Sequence, residues 1–180
     1  MDRDESRFAQ ASRQMLQSGD YVTIRFQDEL RAKKPAGIYW MQSASAALLG
    51  EEDIASYRFV NLLALLASIF MLYHIGLQLY APAIALAASA AFACGFLVLA
   101  EAHLAKTDTV LMLVVMVQQW ALMRIYLDRE KATVKPSTRW IFFWTALSAG
   151  ILVKGPIAPA IALLTVTALV IWHRSAGWIR

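Results

Sequence analysis

Two carboxylates at the edges of hydrophobic segments are the first candidates for chemistry in this sequence. Asp4 stands in a polar N-terminal segment, and Asp108 opens a long apolar run. A carboxylate held at a membrane surface can act as general base toward an acceptor hydroxyl. Both also suit a structural role, because Asp4 could cap a helix and pair with Arg7, and Asp108 could cap the helix that begins there.

Three cations accompany these carboxylates, namely Arg7, Lys34 and Lys154. Fixed cations can neutralise a phosphate that develops charge as it leaves a reacting centre. Lys34 could equally be an interfacial lysine that keeps its ammonium in water. Lys154 interrupts 33 residues, 140–172, that are otherwise uncharged. A lysine at the bilayer centre costs about 2.5–3.5 kcal/mol, and the following Gly-Pro favours a turn. We therefore expect two membrane segments here, joined at Lys154.

The elements that must position these residues are predicted to be membrane helices. The chain is 59% hydrophobic with a mean hydropathy of +0.50, which indicates an all-α integral membrane protein. Each apolar stretch approaches the roughly 20 residues that cross a hydrocarbon core. The predicted spans are 57–80, 82–100, 108–127, 137–153 and 157–173.

Residues 1–56 precede these spans and predict two helices that lie along the membrane surface. The first has an apolar face at helical spacing and ends near Gly19. That face carries Phe8, Ala11, Met15 and Leu16. The second runs from Pro35 to about Leu49 and is closed by Gly50. Loop or short extended structure is expected between the two helices.

The number of crossings predicts which polar regions share a side of the membrane. Two spans separate the N-terminal segment from the loop 101–107, and two more separate that loop from Lys154. All three regions should therefore lie on one side. The connector 124–139 lies on the other and holds five basic and two acidic residues, which indicates the cytoplasmic face. The candidate residues would then gather on the outer, periplasmic side.

Charge and cysteine content exclude some classes of function. The net charge is +4, and no basic stripe of the kind that binds nucleic acid is visible. Cys94 is the single cysteine, so no intrachain disulfide can form. Its place within an apolar run predicts a small buried side chain. Ionisable residues lie at the ends of the spans, which argues against a transporter, although a transporter or an assembly scaffold stays the alternative to an enzyme.

Several short motifs, in this order, resemble bacterial membrane glycosyltransferases related to the protein O-mannosyltransferases and to the aminoarabinose transferase that modifies lipid A. The resemblance covers nearly the whole chain. The motifs are DESRFA at 4–9, SGDYVT at 18–23, Lys34-Pro35 followed by Tyr39-Trp40, AKTD at 105–108 and VKGP at 153–156.

The resemblance implies the GT-C fold, a bundle of transmembrane helices with a catalytic outer loop that here would be residues 1–56. It implies transfer of a sugar from a polyprenyl-phosphate donor to a lipid, protein or glycan acceptor, with inversion, at the outer face of the inner membrane. Asp4 would be the catalytic base with Glu5 beside it, and Asp108 the second functional aspartate. The cations Arg7, Lys34 and Lys154 would hold the donor phosphate.

Two departures from the family pattern affect these expectations. Lys33 stands where the aminoarabinose branch usually has a metal-binding glutamate, so neither a cofactor nor a metal site is predicted at this position and the aminoarabinose assignment is weakened. The family also has a helix before the Asp-Glu pair and a long continuation after the last span. The chain is therefore expected to be an N-terminal fragment that lacks part of the donor groove.

Overall fold

The structure, a computed structural model, describes residues 3–31, 34–128 and 137–174. Within these residues the fold is a bundle of helices with one short antiparallel strand pair. The elements are α1 (Arg3–Ser18), β1 (Arg25–Phe26), β2 (Glu29–Leu30), α2 (Gly37–Leu49), α3 (Ile54–Leu79), α4 (Pro82–Ala93), α5 (Phe96–Ala102), α6 (Asp108–Leu127), α7 (Ser137–Lys154) and α8 (Ile157–His173).

The two helices predicted in the N-terminal segment are confirmed, and they pack on each other. The apolar face of α1 is buried at Phe8, Ala11 and Met15. Helix α1 ends before Gly19, whose φ of +70° suits a residue without a Cβ. Polar contacts between the two helices are also buried and paired, since the Ser12 hydroxyl donates to Gln42 Oε1 at 2.8 Å.

The described residues contain two helices, α3 and α6, that are long and apolar enough to span a membrane. Helix α6 coincides with the predicted span 108–127, and α3 lies within three residues of the prediction 57–80 at each end. Helix α8 is apolar but shorter. Length and composition thus support two crossing helices directly, and three if α4 and α5 together form one broken span.

The stretch 82–100, predicted as one span, is not one continuous helix. Helices α4 and α5 meet at a bend of 59°, and the Gly95 amide donates to the Phe92 carbonyl at 3.0 Å, which closes the turn. Glycine in a helix interior costs about 1 kcal/mol relative to alanine, so a break is favoured there. The buried position predicted for Cys94 is also wrong, because the bend leaves its side chain exposed.

The predicted division of 140–172 at Lys154 is confirmed by the end of α7 and the start of α8. Gly155 adopts φ +71°, and its amide donates to the Ile151 carbonyl at 2.9 Å. This left-handed residue satisfies a carbonyl in the last turn of α7, and Pro156 then leads directly into α8. The turn carries Lys154 at the end of a helix rather than in its middle.

One hydrophobic cluster joins six of the helices at the end of the bundle where α1 lies. It contains side chains from α1, α2, α3, α6, α7 and α8. Its main members are Phe8, Met15, Ile38, Tyr39, Ala64, Val110, Leu111, Val153 and Ala158. The end of α6 and the start of α7 are remote from this cluster and are linked by ion pairs. Asp128 lies 3.2 Å from Arg124 and 2.5 Å from Arg139.

Candidate active site

The hydrophobic cluster brings the predicted site residues to one end of the bundle. Phe8 follows Arg7, Val110 lies two residues after Asp108, and Val153 precedes Lys154. Burial of each cluster member fixes the backbone on which a charged neighbour stands. The segments that carry Arg7, Asp108 and Lys154 are therefore held together by packing among α1, α6 and α7.

Glu5 is the most constrained of the predicted residues. Its Oε1 accepts from Arg58 Nε at 2.6 Å and its Oε2 accepts from Arg58 Nη2 at 2.9 Å. The backbone amide of Ala105 donates to Oε1 at 3.1 Å. The carboxylate is fully buried. These hydrogen bonds, chiefly those from Arg58, lower the pKa of Glu5 although burial opposes that shift.

A second side chain holds the same loop from α3. Asn61 donates through its amide nitrogen to the carbonyl of Leu104, and to the carbonyl of Lys106 at 3.0 Å. Asn61 is itself fully buried. Glu5 and Asn61 therefore hold three consecutive residues, 104–106, which end two positions before Asp108. The position of Asp108 relative to α1 is set by these three hydrogen bonds and not by α6 alone.

Asp108 and Lys154 form an ion pair across the start of α6 and the end of α7. The Lys154 side chain is 20% exposed and that of Asp108 is 44% exposed. The pair links two chain positions whose separation is 46 residues. Lys154 thus has a partner in this structure, while the carboxylate of Asp108 keeps an open side toward solvent.

Asp4 differs from its neighbour Glu5 because it faces outward. Its side chain is 62% exposed and lies 3.7 Å from Arg7, one turn along α1. Exposed pairs of this kind contribute about 0.2–1 kcal/mol, so little energy opposes a rearrangement of Arg7 toward a ligand. Asp4 is the carboxylate of this end of α1 that a substrate can reach.

Lys34 is partly buried and stands just before α2. The start of that helix lies directly on α7, since a Cβ added to Gly37 would come within 2.7 Å of the Leu152 carbonyl oxygen. Only a glycine permits this approach. The contact places the segment that carries Lys34 beside the last turn of α7, which carries Lys154.

Three residues at this end of the bundle were absent from the sequence predictions. Arg58 and Asn61 lie in the first two turns of α3, and Arg31 follows β2. Arg58 gave a signal in the sequence, because it is a charged residue at the edge of a predicted span, where such residues usually have a partner. Its partner, Glu5, lies 53 residues earlier in the chain, and the sequence did not identify it.

The described residues contain no group of three or more His, Cys, Asp or Glu side chains placed to hold a metal ion. Lys33, the position at which the sequence departs from a metal-binding glutamate, lies outside the described residues.

Two helices lie in the polar N-terminal segment, membrane-length helices follow them, and acids pair with cations where the two parts meet. These features define a membrane protein of the GT-C fold. The structure matches the crystal structure of ArnT from Cupriavidus metallidurans in the apo state with a TM-score of 0.85 at 23% identity, covering 96% of this chain and 32% of that one. It matches ArnT bound to undecaprenyl phosphate with a TM-score of 0.72 at 22% identity.

The sequence places the protein in a family within that fold. The chain belongs to the dolichyl-phosphate-mannose-protein mannosyltransferase family, whose profile matches residues 1–177. It is 30% identical over 175 residues to the undecaprenyl phosphate-alpha-4-amino-4-deoxy-L-arabinose arabinosyl transferase of Aeromonas salmonicida, and 29% identical to that of Aeromonas hydrophila. Each match covers 95% of this chain and 31% of the relative. The chain thus spans about a third of the length of these relatives.

Proposed function

We propose that this chain belongs to a glycosyltransferase that takes a sugar from a polyprenyl-phosphate donor. The chain would supply the catalytic carboxylates and the cations that bind the donor phosphate. The observation that carries the proposal is the hydrogen bond from Ala105 to Glu5. It joins the helix that carries exposed Asp4 to the loop that leads into Asp108. Two carboxylates and three cations from distant parts of the sequence thereby face one end of the bundle, where a lipid-linked phosphate and a polar sugar could both be met.

The reaction proposed is a single inverting displacement. Asp4 accepts the proton of an acceptor hydroxyl, and the oxygen attacks the anomeric carbon of the sugar. The bond from that carbon to the phosphate oxygen breaks, and the polyprenyl phosphate leaves with the electron pair. Arg7, Lys34 and Lys154 stabilise the charge that develops on the leaving phosphate. The anomeric carbon inverts because attack and departure occur on opposite faces.

The two neighbouring carboxylates of α1 receive different roles in this proposal. Glu5 has its lone pairs engaged by Arg58 and Ala105 and is inaccessible to substrate. It is therefore a positioning residue, which replaces the expectation that it takes part beside Asp4. Asp108 holds Lys154 and turns an open side to solvent, so we assign it to orient that cation and to polarise the acceptor.

The identities of the donor and the acceptor are proposed from the relatives. The two Aeromonas relatives are named for 4-amino-4-deoxy-L-arabinose carried on undecaprenyl phosphate. We propose a donor of this class and lipid A as acceptor, at the outer face of the inner membrane. Arg124 and Arg139 lie at the opposite end, and the sequence between them adds three more basic residues, which supports that orientation.

Transfer in membranes that contain the protein tests this function. Vesicles are given radiolabelled undecaprenyl-phosphate aminoarabinose and lipid A, and the labelled lipid is followed with time. We expect Asp4→Asn and Lys34→Ala to lose at least about a hundredfold in rate. Asp28→Asn is the matched control, because Asp28 is exposed on the strand hairpin. Transfer at the wild-type rate by both site variants would remove the assignment, and donor binding without any turnover would favour the scaffold alternative.

A further inference from the structure

Arg31 is held in place by aromatic side chains. Its Nε donates to the Tyr39 hydroxyl at 2.9 Å. The central carbon of its guanidinium lies 5.3 Å from the centroid of the Phe8 ring and 5.9 Å from that of Phe26. Both distances fall within the range of a cation–π contact. The group is therefore fixed in orientation by three rings from α1, β1 and α2.

The guanidinium of Arg31 has no carboxylate within ion-pair distance among the residues that the structure describes. Two acids of this end pair with other cations, Glu5 with Arg58 and Asp108 with Lys154. A guanidinium has five N–H donors, and the bond to Tyr39 uses one of them. Arg31 is partly exposed, so its remaining donors can be reached from outside.

The position of Arg31 connects it with the proposed phosphate site. Phe8, on which it lies, follows Arg7 in α1, and Lys34 is three residues further along the chain. Tyr39 packs in the same hydrophobic cluster as Val153, the residue before Lys154. Arg31 thus stands among the cations of this end while having a fixed planar group that none of the lysines has.

We propose that Arg31 binds a phosphate group of a lipid substrate through two parallel N–H···O bonds. A planar fork of donors matches phosphate geometry. The aromatic rings already order the Arg31 side chain, so binding costs less conformational entropy. The proposal rests on the function proposed above and adds to it a residue that the sequence did not suggest. The phosphate is that of the polyprenyl donor or that of a phosphorylated acceptor lipid, and the two give different results below.

Equilibrium binding to the protein in nanodiscs of zwitterionic lipid tests this contact. The probes are undecaprenyl phosphate, lipid A and undecaprenol, which has no phosphate. We expect Arg31→Gln to weaken binding of one phosphorylated lipid by about tenfold or more and to leave undecaprenol unchanged. Loss with undecaprenyl phosphate assigns the donor, and loss with lipid A assigns the acceptor.

The matched control is Arg25→Gln, since Arg25 is an exposed arginine on the same strand pair. Equal affinities of Arg31→Gln and Arg25→Gln for both phosphorylated lipids would overturn the proposal. So would an equal loss of undecaprenol binding, because the effect would then not concern phosphate.

Arg31 could have a purely structural role, in which it only attaches the strand pair to α1 and α2. A conservative variant distinguishes this role from phosphate binding. Arg31→Lys keeps a cation but loses the planar fork. If Arg31→Gln does not fold, lipid binding is compared between Arg31→Lys and Arg25→Lys, with the two variants shown to have equal melting temperatures. Binding of phosphorylated lipid at least about threefold weaker for Arg31→Lys supports the proposal, and equal binding rejects it. These measurements contain no transfer step, so absence of glycosyl transfer by the wild-type protein would count against the proposed function alone.

Discussion

Arg58 and Glu5 join α3 to α1 through two parallel hydrogen bonds of 2.6 and 2.9 Å. The arginine side chain is 38% exposed and the carboxylate is fully buried. A buried carboxylate without its cation is strongly unfavourable. The pair therefore makes the position of α1, and with it that of Asp4, depend on a residue near the start of a membrane helix.

Removal of Arg58 should reveal this dependence as non-additivity. Arg58→Met leaves the Glu5 carboxylate buried without its main partner, and we expect a loss of about 2–3 kcal/mol in the free energy of unfolding. Glu5→Gln removes the buried charge, so Glu5→Gln with Arg58→Met should be less destabilised than the sum of the single variants. Denaturant unfolding in detergent, followed by circular dichroism, measures all three. Additive losses would show that the two side chains are not coupled.

Acidification should remove the contribution of Glu5 to stability. The pKa of Glu5 is lowered in the folded protein from its ordinary value of 4.5, so folding favours the ionised form. The stabilisation is fully present above about pH 4.5 and is lost as the pH falls through the lower folded-state pKa. We expect the wild-type advantage over Glu5→Gln to shrink across that interval, with Asp28→Asn following the wild type. An advantage that is constant with pH would show that the carboxylate gains nothing from Arg58.

The loop before Asp108 should become mobile when Asn61 is shortened. Asn61→Ala removes the donor to the carbonyls of Leu104 and Lys106, while the hydrogen bond from Ala105 to Glu5 remains. We expect faster amide hydrogen exchange across residues 104–107 and a rate of transfer reduced without a matching change in donor affinity. Ser68→Ala, a buried polar change on the same helix that removes a hydroxyl bonded to the Ala64 carbonyl, is the control and should leave that exchange unchanged.

Exchange of the charges of Asp108 and Lys154 should separate stability from catalysis. Each single neutralisation, Asp108→Asn or Lys154→Met, should cost about 1 kcal/mol, because both side chains are partly exposed. Asp108→Lys with Lys154→Asp restores an ion pair and should recover most of the melting temperature. Transfer should stay at least about a hundredfold below wild type, since the acid and the cation have changed places. Recovery of transfer by the swapped protein would assign the pair a structural role only.

The parts of the fold that the sequence predicted correctly depend on local patterns. The apolar face of α1 repeats at helical spacing, and α6 begins at Asp108 and ends where its apolar run ends. Gly19 and Gly155 mark helix ends because a left-handed residue is needed there. Each of these features is decided by residues within one or two turns of each other, so a single sequence contains enough information.

The parts that were missed depend on contacts between distant residues or on competition between weak preferences. Nothing near Arg58 in the sequence indicates that its partner is Glu5, and the stacking of Arg31 on Phe8 needs α1, the strand pair and α2 in place. The break at Gly95 was hidden because apolar residues continue on both sides of it. The pairing of Asp4 with Arg7 was foreseen as their structural alternative, because the two residues are three positions apart in one helix.

A methyl group at Gly37 should test whether the segment with Lys34 is seated on α7. The added Cβ would meet the Leu152 carbonyl oxygen at 2.7 Å and its carbon at 2.9 Å, and a backbone carbonyl cannot move aside as a flexible side chain can. We expect Gly37→Ala to lose about 1–3 kcal/mol of stability and to weaken donor binding, because α2 must shift away from the turn at Lys154. Ala47→Leu enlarges an exposed position of the same helix and should melt close to the wild type. A wild-type melting temperature for Gly37→Ala would mean that α2 and α7 do not touch, and the shared site of Lys34 and Lys154 would fall with that contact.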